Sequence, residues 1–194
     1  TPNITDDDAG SKIVIDASGN CYVTGFGVGS GTGKDIITLK YNSTGSLQWA
    51  QRYSGNYEDA GIDIIVNGSG TVYVTGYTFT TLTNSDYISI KYNSNGVQQW
   101  IKTYNGTGNS TDKSNSIGLD AADNVYITGY SIGNGSSFDF ATIKYNSSGT
   151  QQWVQRYNGP GNLTDAANDM FTDASGNCYV TGNSFGSSSF SDYA

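Results

Sequence analysis

The ten residues Asp16–Gly25, Asp-Ala-Ser-Gly-Asn-Cys-Tyr-Val-Thr-Gly, return letter for letter at Asp173–Gly182, and looser copies lie between them at Asn67–Gly76 and Asp120–Gly129. Such repetition means that one supersecondary unit is used several times and that neighbouring units bury each other's apolar faces. The closing glycines Gly25, Gly76, Gly129 and Gly182 stand 51, 53 and 53 residues apart. A period near 50 with four strand-like segments per unit is the signature of a propeller blade rather than of a helical solenoid.

Each unit reads as four strands. The first is apolar and leads into the Asp-Ala-Ser-Gly-Asn turn: Ile13-Val14-Ile15, Ile64-Ile65-Val66, Ile117-Gly118-Leu119 and, more weakly, Met170-Phe171-Thr172. The second starts at Cys21, Val72, Val125 and Cys178, and the turn joins the two as a hairpin. A third is expected to begin just after Asp35, Asp86, Asp139 and Asp192. There Ile37, Leu39 and Tyr41 alternate with Thr38 and Lys40, the period-2 pattern of a half-buried strand. After a second turn, opened by Asn42, Asn93 and Asn146, comes the fourth strand, marked by Trp49, Trp100 and Trp153 with Tyr53, Tyr104 and Tyr157 on the same face. Only the connection from tryptophan to the next unit changes in length, as expected of a surface loop between fixed cores. The units run over 8–54, 59–105, 112–158 and 165–194, the last without its outer half.

Composition agrees with an all-β chain. Among 194 residues there are 26 Gly and 15 Tyr, charged residues make up 13%, and helix formers are sparse. The net charge of −8, with no run of Lys or Arg, would repel a phosphate backbone, so nucleic acid is not an expected partner. No apolar run is long enough to span a bilayer and no basic-then-apolar leader opens the sequence, so a soluble or already processed chain is expected. With no histidine, neither Ser-His-Asp nor Cys-His chemistry is open to the residues given.

The joint pattern Asp-x-x-Gly-Asn-x-Tyr-Val-Thr-Gly, then Asp, then Lys-Tyr-Asn-x-x-Gly-x-x-x-Trp, resembles the bacterial β-propeller repeat known as the SBBP repeat, and covers nearly the whole chain. The resemblance implies a four-stranded antiparallel blade in secreted or surface-exposed proteins and brings no general catalytic activity. Asp123 departs from it, standing where the first turn has glycine. Three arrangements are open for the incomplete fourth unit: an excerpt of a larger ring, a small closed ring, or an open edge completed by another subunit, which permits heterologous assembly.

The recurrent polar residues each have two readings. Asp8, Asp59, Asp112 and Asp165, with Asp35, Asp86, Asp139 and Asp192, are expected to fix turns through backbone N–H groups; the alternative is rings of carboxylates holding calcium. Lys40, Lys91 and Lys144 read as solvated guards against stray strand pairing, with an anion site as the alternative. Tyr22, Tyr73, Tyr126, Tyr179 and the three tryptophans read as packing between blades rather than as sugar-stacking platforms. Cys21 and Cys178, which alternate with Val72 and Val125, read as small buried apolar filler, with a disulfide or an intersubunit bridge as the alternative. Asn105, Asn109 and Asn162 lie in loop sequons that suit N-glycosylation in a secreted chain. No cofactor and no metal is expected. The functional expectation is a non-enzymatic extracellular or cell-surface scaffold, adhesive or part of a surface filament, which self-associates through its open blade edge. The alternative is a lectin-like propeller that binds carbohydrate or another ligand, and an enzyme would have to work with carboxylates alone.

Overall fold

The computed structural model describes residues 7–29, 33–81 and 84–186, together with the backbone of 191–193. The chain is all β and falls into four antiparallel sheets, one per repeat. The first holds β1 (Ala9–Ile15), β2 (Cys21–Gly29), β3 (Gly33–Tyr41) and β4 (Leu47–Tyr53), and the second β5 (Asp59–Val66), β6 (Val72–Phe79), β7 (Ser85–Tyr92) and β8 (Gln98–Tyr104). The third holds β9 (Asp112–Leu119), β10 (Val125–Ile132), β11 (Phe138–Tyr145) and β12 (Gln151–Tyr157). The fourth has three strands, β13 (Ala166–Thr172), β14 (Cys178–Phe185) and β15 (Ser191–Tyr193). Strand order follows chain order in every sheet. The third strands begin two or three residues earlier than the sequence pattern implies, so that Asp35, Asp86, Asp139 and Asp192 lie inside them; the side chain of Asp192 is outside the described residues.

Both turns are built by one device. The carboxylate of Asp16 accepts the Ser18 and Asn20 amides, each at 2.9 Å, and the amide oxygen of Asn42 accepts those of Thr44 and Ser46 at 3.1 and 2.8 Å. A side chain that mimics a backbone turn in this way explains why Asp and Asn recur at these places without a ligand. The closing glycine of the second strand is required by packing. A Cβ at Gly25, Gly76, Gly129 or Gly182 would run into the carbonyl oxygen of Ala9, Ala60, Lys113 or Ala166 on the neighbouring first strand. That first strand carries an irregularity in register beside the glycine in all four units.

The sheets stack face to face in sequence, with the first strands innermost. β1 packs on β5, β5 on β9 and β9 on β13, while the fourth strands share no comparable contact. This radial splay is that of propeller blades. Among the described residues β1 and β13 are not packed on one another, and the four blades form an open arc. Two buried clusters fill the complete joints. One joins Tyr22 and Ile36 of the first blade to Ile64, Val74, Ile88 and Ile90 of the second; the other joins Tyr73 and Tyr87 of the second to Ile117, Ile127, Ala141 and Ile143 of the third. Each blade thus has an aromatic face turned to its successor and an aliphatic face turned to its predecessor. The third strand is therefore not half-buried as its alternation implies. In blades two and three, Ser89 and Thr142 are buried along with the aliphatic residues, because both faces of the sheet are covered.

Candidate functional site

The recurrent side chains converge on the joints between blades. Lys40 shows the pattern. It pairs in register with Tyr22 on one side and Trp49 on the other. Its ammonium lies 5.2 Å from the centre of the Tyr22 ring and donates to the Ser94 carbonyl, 3.2 Å away in the second turn of the next blade. Trp49 donates its indole N–H to the same carbonyl at 3.2 Å. One joint later, Lys91 lies 5.2 Å from the ring centre of Tyr73 and donates to Ser147 O at 2.8 Å, with Trp100 N–H at 3.4 Å. These lysines are not solvated guards: they are half-buried cationic bolts, held over an aromatic face and bonded across the joint. Lys144 has no described turn ahead of it. Its ammonium lies 4.7 Å from the ring centre of Tyr126 and 3.7 Å from Asp120 Oδ2.

The tryptophans and tyrosines form a ladder through the first two joints. Trp49 stands 6.3 Å from Tyr22 of its own blade and 6.0 Å from Tyr92 of the next, and Trp100 stands 6.2 Å from Tyr73 and 6.4 Å from Tyr145. Tyr22, Tyr73 and Tyr126 are wholly buried, as packing residues should be. Tyr179, their counterpart in the fourth blade, is 59% exposed. Burial, then the hydrogen bond to Asp16, pushes the Tyr22 phenol up to about 12.

The aspartates before the first strands act as turn clamps. Asp59, Asp112 and Asp165 accept the amides of Gly55, Gly106 and Gly159, each at 2.6 Å, and Asp8 accepts that of Val28 at 2.9 Å. Burial, opposed by these bonds, pushes the Asp59 and Asp112 carboxyls up. The third-strand aspartates are paired within the blade. Asp35 Oδ2 accepts Arg52 at 2.6 Å and Asp139 Oδ2 accepts Arg156 at 3.0 Å. In the second blade Thr103 takes the arginine's place opposite Ile88. Asp86 is left buried there, and burial first, then the charge of Asp112, pushes its pKa up to about 6. Among the described residues no three Cys, Asp or Glu side chains gather into a group that could hold a metal ion.

Several contacts had no signal in the repeat. Asp123, in the place of a turn glycine, adopts φ 58° and accepts Asn67 Nδ2 across the joint at 2.9 Å; Asp and Asn tolerate this left-handed region better than other residues. Along the inner strands Lys12, Asp63, Ser116 and Asp169 share one register position, each opposite the threonine of its second strand. Lys12 lies 3.5 Å from Asp63, Asp63 accepts the Ile117 amide at 3.1 Å, and Ser116 donates to Asp169 at 2.9 Å, so all four blades are tied at the axis. Because the residue types differ, this position is not visible as a repeat. Cys21 and Cys178 are free thiols, half-buried rather than fully buried like Val72 and Val125. Asn105, Asn109 and Asn162 stand exposed in the loops between blades, the last two at positive φ.

The curated proteins include an uncharacterized WD repeat-containing protein of Acanthamoeba polyphaga mimivirus, 27% identical to this chain over 191 aligned residues. The match covers 86% of this chain and 13% of that protein's length, and no protein-family model matches. Every tryptophan here is followed by an aliphatic residue (Ala50, Ile101, Val154) rather than by Asp, so the Trp-Asp dipeptide is absent. Together with four blade-like sheets, the likeness makes this a β-propeller-like repeat protein. Among the described residues no helix is long and apolar enough to cross a membrane.

Proposed function

We propose that the chain is a non-enzymatic scaffold of the SBBP-repeat type, working outside the cell or at its surface as a structural or adhesive element. The observation that supports this reading is where the recurrent polar groups go. Lys40, Lys91, Trp49 and Trp100 are bonded to the neighbouring blade, the turn aspartates to backbone, and Asp35 and Asp139 to arginines of their own blade. A catalyst or selective binder needs convergent polar groups that packing leaves available. An extracellular setting rests on the resemblance and on the exposure of Asn105, Asn109 and Asn162, which leaves them open to glycosylation. Antibody labelling of intact cells of the source organism tests the setting: label without permeabilisation is expected, and label only after it would overturn the reading. A glycan array, run with and without calcium, tests the scaffold role. No specific signal is expected, and saturable binding of one sugar would replace the scaffold with the lectin-like alternative.

A further inference from the structure

The repeat breaks at one place inside the first joint. Gln-Arg-Tyr, found at 51–53 and again at 155–157, becomes Lys-Thr-Tyr at 102–104, so the second blade has no arginine on its fourth strand. In the first blade Arg52 Nη1 donates to Gly27 O at 3.0 Å and to Asp35 Oδ2 at 2.6 Å. In the third, Arg156 donates to Ser131 Oγ at 2.6 Å, Ser131 O at 2.7 Å, Asp139 Oδ2 at 3.0 Å and, across the joint, the Tyr104 hydroxyl at 3.3 Å. The matching residues around the second blade are Thr103 for the arginine, Thr78, Asp86 and, from the first blade, Tyr53. An open cavity of about 320 Å³ lies there, lined by Tyr53, Thr78, Thr80 and Thr103 among others.

Asp86 stands on the face that bounds this cavity. Residues directly opposite one another in a sheet share a face. Asp86 is opposite Thr78, and Thr103 is opposite Ile88, two residues along the same strand. Asp86 is 7% exposed, its Oδ1 is buried without a hydrogen-bond partner, and among the described residues no cation pairs with it. The wholly buried Asp59 brings a second carboxylate: a Cβ on Gly55 would lie 3.0 Å from both its oxygens and 3.1 Å from Thr78 Oγ1. A buried carboxylate without a partner is costly, so the cavity is polar, negative and short of a cation. Thr80 also departs from the pattern. It stands at the place of Gly29 and Gly133, where a Cβ would lie 2.9 and 3.2 Å from the arginine nitrogens. Thr80 would therefore crowd an arginine tethered at 103, whereas a group not tied to the strand can shift toward the open mouth.

We propose that this cavity binds a guanidinium group from outside the chain, carried by a free alkylguanidine or by an arginine of another polypeptide, in the place that Arg52 and Arg156 fill in their own blades. Asp86 supplies the counter-charge, and the Thr78 carbonyl with the Tyr53 and Thr103 hydroxyls offers acceptors for the remaining N–H groups. A guanidinium presents its donors as a planar fork, which suits several acceptors spread around one cavity better than a compact ammonium does. The groups that recur are used up in packing; a break in the recurrence is what leaves these available. The site lies between two described blades, so it does not depend on where the sequence begins or ends.

Titration of the chain with methylguanidinium, followed by amide NMR at concentrations far below those that unfold proteins, tests this. Saturable shifts confined to the amides around Thr78 and Thr103 are expected, with a Kd of about 1 mM. Asp86→Asn keeps the shape and removes the charge, and should weaken binding about tenfold or more. Thr80→Gly combined with Thr103→Arg gives the blade its own guanidinium and should abolish binding. Methylammonium, of equal charge, should bind more weakly than methylguanidinium. An acetylated Gly-Arg-Gly amide separates the two sources: tighter binding than methylguanidinium assigns the site to an arginine of a polypeptide, and binding no tighter assigns it to a free guanidino compound. Absence of saturable shifts for both probes, undiminished binding by Asp86→Asn, or methylammonium binding as tightly as methylguanidinium would overturn the proposal. Surface labelling and glycan binding are independent of every one of these results.

Discussion

Trp100 and Lys91, which face each other across β7 and β8, donate to one acceptor, the carbonyl of Ser147 in the next blade. Removing one donor leaves the other in place. Trp100→Phe and Lys91→Met are each expected to cost about 0.5–1.5 kcal/mol. The double variant orphans a partly buried carbonyl and should lose more than the sum, a coupling measurable by urea unfolding. Strict additivity would mean that the shared acceptor is not a unit.

Asp86 gives the fold a pH dependence. Its carboxyl titrates from 3.8 in the unfolded chain and about 6 in the folded one, so the folded state holds an extra proton between these values. Stability is therefore full below about pH 4 for this group, falls as pH rises through the window, and is lowest above 6. Asp86→Asn is expected to flatten that limb and to be more stable than the parent at neutral pH, by up to about 2 kcal/mol. Thermal unfolding of both proteins from pH 4 to 7 checks this; parallel profiles would contradict it.

The closing glycines are demanded by backbone, not by side chains that can move aside. Gly76→Ala places a methyl group against the Ala60 carbonyl and is expected to cost at least about 3 kcal/mol, or to prevent folding. Gly45→Ala meets no neighbour, so it should cost only the strain of its positive φ, about 1 kcal/mol. Chemical denaturation of the pair separates a packing glycine from a turn glycine.

Asp123 offsets left-handed strain with a bond to the preceding blade. Asp123→Gly relieves the strain and loses the bond to Asn67, so it should be nearly neutral. Asp123→Ala keeps the strain and loses the bond, and should cost about 1–2 kcal/mol by the same unfolding measurement.

Much of this was legible in the sequence because the repeat carries it. The four strands, both turns and the burial of Tyr22, Tyr73 and Tyr126 follow from fixed spacings, alternation and turn residues. The lysines were misread because a charge on an alternating strand looks solvated, when here the polar face of one blade is covered by the next. Lys12, Asp63, Ser116 and Asp169 went unseen because a register position filled by four residue types leaves no pattern. The unequal exposure of Tyr22 and Tyr179, identical in local sequence, cannot be read from any unit alone: it depends on which neighbour a blade has.

That dependence on the neighbour is the centre of the account, and the three indole N–H groups report on it directly. Trp49 and Trp100 donate across a joint, whereas Trp153 has no described partner for its indole N–H. Hydrogen exchange followed by NMR is expected to show two protected indole protons and one, from Trp153, that exchanges fast. Three indoles exchanging at one common rate would contradict the joint that binds blade to blade.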